Sequence, residues 1–252
     1  MPFYIRSETI ELSGLQETSV NRLIDDLIIQ ALGQNKNIVV YLHGYNVGFG
    51  KSCRQAAMFQ RSLGLYDRLL LFSWPADGNF LKYAWDEADL VWSVSYLSKV
   101  VKSIARRIGR AKIDVVAHSL GARGAAHALS QMVHSEKKMP LVNELVLLAP
   151  DIDRDTFKHE LPALHRIAKR ITVYVSENDK ALKLSNDAHG HPRLGEAGEF
   201  LSIYKRMETI NISLLGMRRF SGHLYHLFSP EVNKDLSRFL RLGWPASRFA
   251  GR

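Results

Sequence analysis

Short runs that are apolar on both faces alternate along this chain with longer stretches in which apolar residues recur at helical spacing. A helical period over 20–32 is followed by an apolar run at 38–42, a helical period over 51–63 and a second run at 68–72. A long helical region, 80–108, leads into an apolar run that ends at Ala117, and the small-residue stretch 124–129 has the look of a helix lying close against a sheet. Further runs at 145–148, 171–175 and 203–212 read as strands, and 232–240 as a closing helix. Alternating strands and helices, with strands apolar on both faces, predict an α/β fold: a mostly parallel sheet covered by helices on both sides. No repeat, low-complexity tract or Pro/Gly/Ser-rich linker interrupts the pattern. One domain is therefore expected over 1–252, with a core at about 36–242, a short N-terminal extension and a C-terminal tail.

Composition narrows the setting. With 252 residues, 46% of them apolar and 23% charged, the chain is large enough to bury a sizeable core. No apolar stretch approaches the roughly 18 residues that span a bilayer, so no membrane span is expected. The first residues lack the basic start and apolar stretch of a secretory signal, and the single cysteine, Cys53, cannot form an internal disulfide. Both features predict a cytoplasmic protein, with Cys53 packed in a helix. The net charge of +9 favours anionic partners, but Lys99, Lys102, Arg106 and Arg110 recur at helical spacing, as on a solvated helix face. No nucleic-acid-binding motif accompanies them, and nucleic acid is not expected as a partner. Nothing in the sequence speaks to oligomeric state.

In open parallel sheets a ligand sits beyond the carboxyl ends of the strands, so the residues there decide the chemistry. After the strand ending at Ala117 comes Ala117-His118-Ser119-Leu120-Gly121, at a strand-to-helix junction. This is where an α/β-hydrolase places its nucleophilic serine, on a turn so tight that the residues two before and two after must be small. The usual first glycine is Ala117 here, the mildest departure. A serine that merely begins a helix is the plainer alternative. After the strand 38–42 comes His43-Gly44-Tyr45-Asn46, where such a fold keeps half of its oxyanion hole. The expected donors are the backbone N–H of Tyr45 or Asn46, with that of Leu120 as the other half. Gly50-Lys51-Ser52 in the same loop imitates the end of a phosphate-binding P-loop, but the glycine that motif needs at position 45 is Tyr45, so nucleotide binding is not expected.

A serine hydroxyl needs a base, and the base needs a carboxylate, in the chain order Ser, acid, His. Asp179, in the polar cluster after the run 171–175, is the first choice of acid. Asp151 and Asp153 after the previous strand compete with it, as does Glu177, and any of them can be a turn or helix-cap aspartate. Of ten histidines, His223 and His226 lie beyond the last strand. His223 is the expected base and His226 the reserve. His118 is read as structural. His189 and His191 have no partners at metal-ligand spacing, so no metal is expected.

Several blocks, taken in order, resemble a largely bacterial family of uncharacterised α/β-hydrolases: Val39 to Asn46, Phe72-Ser73-Trp74-Pro75, Val115 to Gly121, Ala149-Pro150-Asp151-Ile152-Asp153, and Tyr174 to Leu182. The resemblance extends from about Ile38 to His226. It implies the α/β-hydrolase fold, a triad of Ser119, Asp179 and His223, and no metal or organic cofactor.

The expected substrate is a small carboxylic ester or thioester, with the net positive charge able to attract an anionic one. Phe80 and Tyr83 are expected to border the substrate pocket, whereas Trp85, Trp92 and Tyr96, at offsets of seven and four, read as core packing. The alternative to a serine hydrolase is a binding or scaffolding protein of the same fold, which a Ser119 hydroxyl turned away from every histidine would favour.

Overall fold

The computed structural model describes residues 10–66, 68–79, 82–136, 139–215 and 222–242. Six strands form one sheet in the order β2-β1-β3-β4-β5-β6, every neighbouring pair parallel: β1 (Ile38–Leu42), β2 (Leu69–Phe72), β3 (Ile113–His118), β4 (Val142–Leu148), β5 (Ala168–Val175) and β6 (Glu208–Asn211). Parallel strands require crossovers, and the helices that supply them cover both faces. They are α1 (Val20–Gly33), α2 (Phe49–Leu63), α3 (Tyr83–Ile108), α4 (Leu120–Met132), α5 (Arg154–Ile167), α6 (Lys180–His189), the short α7 (Tyr225–Phe228) and α8 (Pro230–Leu242).

Strand alternation divides the interior. Val40 and Leu42 of β1, with Val115 and Ala117 of β3, pack under α1, α3, α4 and α5; Val39, Tyr41 and Val116 point the other way, under α2, α7 and α8. All five residues of β1 and all six of β3 are buried, as a central parallel strand requires. Register aligns Leu42 with Ala117 and His118 with Leu148, which brings the loops after β1, β3 and β4 to one edge. No helix among the described residues is long and apolar enough to cross a membrane.

Three expectations change. The strand expected over 203–212 is confined to Glu208–Asn211, because the chain turns at Lys205 and Arg206, the latter at φ 63°, before it meets β5. Helices α5 and α6 arise where none was expected; each is capped by an aspartate, Asp153 or Asp179, whose side chain accepts first-turn N–H groups. Trp85, Trp92 and Tyr96 face outward, Trp85 and Trp92 about two-thirds exposed. The buried face of α3 is the aliphatic one, Leu90, Val94, Leu97, Val101 and Ile104. It fits because α4 meets it with small residues: a Cβ on Gly124 would lie 2.6 Å from Leu90 Cδ1, so an indole has no room there.

Candidate active site

Ser119 stands between the end of β3 and the first residue of α4, at φ 55° and ψ −123°. A non-glycine residue in that region costs on the order of 1–3 kcal/mol, so the surroundings must hold it there. They do so through the backbone: Ser119 N–H donates to Leu148 O at 2.9 Å, and Ser119 C=O accepts from Ala122 at 3.0 Å and Asp151 at 3.2 Å. Packing adds to this. A Cβ on Gly121 would sit 2.2 Å from His43 O, and one on Gly44 would sit 2.9 Å from Ser119 Cβ and 2.7 Å from His118 Nδ1. The two glycines let the loop after β1 press directly on the serine turn. Gly44 thus makes room for the protein's own Ser119 and His118. Ala117 is accommodated inside β3, fully buried opposite Leu42.

Asp179 and His223 meet across the cavity rim. His223 Nδ1–H donates to Asp179 Oδ2 at 2.7 Å, while Asp179 Oδ1 accepts from Ala181 N at 3.0 Å and Leu182 N at 3.1 Å. The aspartate is 1% exposed and is at once a helix cap and the partner of a histidine. Burial alone would lower the His223 pKa, but the charge and hydrogen bond of Asp179, helped by the charge of Asp151, raise it above the ordinary imidazole value. Among the described residues no hydrogen bond joins Ser119 Oγ to a histidine; Ser119 and His223 both line one cavity of about 370 Å³. Tyr45, Asn46 and Tyr83 also line it, and α6 forms an apolar wall with Leu182, Leu184 and Ala188. Phe80 lies outside the described residues.

The other carboxylates go elsewhere. Asp151 is buried with its oxygens taken by Tyr83 Oη at 2.6 Å and Ser185 Oγ at 2.7 Å, beside Arg123 and Arg193. Asp153 caps α5 through Thr156 N at 2.7 Å; burial raises its pKa, but that hydrogen bond outweighs it and the net shift is down. Glu177 is exposed. The histidines divide similarly. His226 Nε2 meets Tyr41 Oη at 3.1 Å, and burial, with His223 nearby, pushes its pKa down to about 3. His118 Nε2–H donates to His223 O at 3.0 Å, which steadies the His223 backbone, and burial keeps the ring neutral. His189 bonds to Ser185 O, His191 is exposed, and no group of metal-ligating side chains occurs among the described residues.

The backbone groups expected as oxyanion donors differ in their surroundings. Leu120 opens α4, so its N–H has no carbonyl one turn back in the helix. Asn46, at φ 58°, donates its N–H to Asp86 Oδ2 at 3.2 Å. The fully buried Asp86 also accepts from Asp77 N at 2.9 Å, and so pins the loops after β1 and β2 to α3. Trp74 Nε1–H donates to His43 O at 2.9 Å and its ring stacks on His43 at 5.0 Å, which completes that clamp. Sequence reasoning missed Asp86. Its one local signal is an acidic residue in the first turn of a helix, too common to single it out.

Residues 17–238 match the family described as alpha/beta hydrolase of unknown function (DUF900). The chain is 25% identical over 207 residues to the uncharacterized protein alr1448 of Nostoc sp., covering 60% of this chain and 54% of that one; it spans about half the length of this curated relative. Among solved structures it is similar to a Pyrobaculum calidifontis esterase, at 12% identity with 90% of this chain and 94% of that one covered and a TM-score of 0.45. An uncharacterized protein from Bacillus cereus is similar at 14% identity, 94% and 65% coverage and a TM-score of 0.45. With most of its length matched and the six-stranded parallel sheet in place, the chain belongs to this α/β-hydrolase family.

Proposed function

We propose that the protein is a serine hydrolase of small carboxylic esters or thioesters, with Ser119 as nucleophile, His223 as base and Asp179 as the acid that orients it. The observation that carries this reading is the 2.7 Å hydrogen bond from His223 Nδ1 to the buried Asp179, at a cavity that Ser119 also lines. With Nδ1–H committed to Asp179, Nε2 of neutral His223 is left as the acceptor for the Ser119 proton. As that proton leaves, Ser119 Oγ bonds to the carbonyl carbon, and the carbonyl oxygen takes the negative charge. The backbone N–H groups of Leu120 and of Tyr45 or Asn46 are the donors assigned to it. Protonated His223 then returns the proton to the departing alcohol or thiol, the C–O or C–S bond breaks, and a water deprotonated by His223 releases the acid from the acyl-enzyme. Tyr83, its hydroxyl tied to Asp151, borders the substrate. No cofactor takes part in this scheme, and a cytoplasmic setting suits the free Cys53.

One observation favours a second reading, a binding protein of the same fold: Ser119 Oγ reaches no histidine by a hydrogen bond among the described residues. Catalytic hydrogen bonds are often long before substrate arrives, so the hydrolase reading stands first. Labelling with a fluorophosphonate probe separates the two without knowledge of the substrate. Wild type should label, Ser119→Ala and His223→Ala should not; a folded wild type that resists the probe would give the binding reading precedence.

A further inference from the structure

Outside the cavity, helix α3 carries a face that the fold itself does not use. Seven residues bring a helix back to within about 20° of its starting direction, so Trp85, Trp92, Lys99 and Arg106 follow one line along its outer side, over about 30 Å. Tyr83, at the cavity, stands two residues before Trp85 and so on the opposite side of the helix. Trp85, Val91 and Trp92 are each about two-thirds exposed, and Tyr96, beside the line, nearly half. Indole and phenol rings gain more than most side chains from leaving water, and so many of them together in solvent mark a surface with a partner.

The line has two halves of different chemistry. Its first half is aromatic and edged by cations, with Lys82 Nζ 4.6 Å from the centre of the Trp85 ring and Lys99 Nζ 5.0 Å from that of Tyr96. Its second half is basic: a shallow hollow lined by Lys99, Lys102, Ser103, Arg106 and Arg107, hydrogen-bond donors throughout. Lys99 has no ion pair among the described residues, and the Arg106 side chain is 74% exposed with Glu136 no nearer than 3.7 Å. Lys102 and Arg107 are paired, with Glu136 at 3.8 Å and Asp25 at 2.7 Å. The acids of α3 are withdrawn from the outer line: Asp86 is buried, Glu87 binds Arg123 and Asp89 is half-buried. Charge therefore selects an anionic partner, and the rings narrow it further. Those of Trp92 and Tyr96 lie 5.0 Å apart at 48° to each other, which leaves no parallel slot for a nucleic-acid base. A bilayer surface needs no such slot, since Trp and Tyr settle at the level of the headgroups while Lys and Arg meet the lipid phosphates. We infer that the outer face of α3 docks the protein on a membrane surface rich in anionic phospholipid, with Trp85, Trp92 and Tyr96 seated among the headgroups and Lys99 and Arg106 against their phosphates.

The test is sedimentation of the whole chain with vesicles of phosphatidylcholine and phosphatidylglycerol in equal parts. Wild type should bind them about tenfold or more tightly than vesicles of phosphatidylcholine alone, and less tightly as salt is raised. Its tryptophan emission should move to the blue on binding. Trp85→Ser with Trp92→Ser should weaken binding about tenfold or more and abolish the emission shift. Lys99→Glu with Arg106→Glu should weaken it as much, whereas Lys158→Glu with Lys169→Glu, the same substitutions of charge at exposed positions of α5 and β5, should change it little. All these side chains are exposed, so the thermal midpoints should stay at the wild-type value and a loss of binding cannot be laid to unfolding. An equal loss in the α5 and β5 pair would reduce the effect to net charge and overturn the docking face. Binding that survives the tryptophan replacements, or a wild type that ignores both kinds of vesicle, would overturn it too. So would release by inorganic phosphate at constant ionic strength, a wild-type dimer that the tryptophan replacements dissociate, or an oligonucleotide held more tightly than the vesicles, since each gives the face a different occupant.

Discussion

In Asp179 the two carboxylate oxygens have separate duties, Oδ1 to the first-turn N–H groups of α6 and Oδ2 to His223. Asparagine can still accept at a helix start but carries no charge, so Asp179→Asn separates them. We expect a variant of near wild-type stability whose kcat/KM falls by about 10³–10⁴, the scale of losing the group that orients a catalytic imidazole. The pH profile should shift as well. As the proposed base His223 must be neutral, and its pKa is raised in the folded protein, so wild-type activity should climb with pH through a midpoint above 6.5. Without the aspartate, burial alone governs the ring and the midpoint should move below that value; an unmoved midpoint would remove Asp179 from the mechanism. Ser119, Asp179 and His223 could be chosen from the sequence because chain order and strand ends constrain them. Asp86 and Arg123 could not, because Asn46 and Asp151, which they bind, lie 40 and 28 residues away, and no local spacing encodes such contacts.

Strands were easier to read than helices, for a physical reason. A buried parallel strand is apolar throughout, as in β1 and β3, whereas a surface helix can offer two stripes of similar period. In α3 the aromatic stripe Trp85–Trp92–Tyr96 was legible but was assigned to the wrong side, since only the small residues of α4 reveal which stripe fits. Helix α5 was hidden by its polar composition and by Pro162 within it. The junction between the loop after β1 and α4 makes a sharper claim. Gly121→Ala places a methyl 2.2 Å from His43 O, backbone against backbone, and neither can yield without moving the loop or the serine. It should cost about 3 kcal/mol in urea unfolding and slow labelling of Ser119 markedly. Gly33→Ala, where nothing lies within 4 Å, should be nearly neutral; equal costs for the two would show that helix propensity, and not this contact, sets the effect.

Taken as one folded object, the protein buries ionisable groups that pull its acid stability in opposite directions. His43, His118 and His226 are held neutral by burial, with His43 lowered to about 4 and His226 to about 3, while an unfolded chain protonates each near 6.5. Below pH 6.5 the unfolded state then binds more protons, and each ring withdraws about 1.4 kcal/mol per pH unit until its folded pKa is reached. Glu144, raised to about 7 by burial in spite of Arg170, works the other way, since its protonated form is stable in the fold and its ionised form is not. Replacing His226 by glutamine, which can still meet Tyr41, should therefore lessen the stability lost between pH 7 and pH 5 by about 2 kcal/mol relative to wild type; urea midpoints at both pH values measure it, and parallel profiles would refute it. The whole sheet also couples two properties that a changing enzyme would gain from separating. Helix α6 is both the apolar wall of the cavity and the segment that Asp179 begins. A lineage that reshaped this wall to admit a new ligand would displace the carboxylate paired with His223, so diversification should be channelled into α2 and the loop after β1, and α6 should be the slowest part of the pocket to drift.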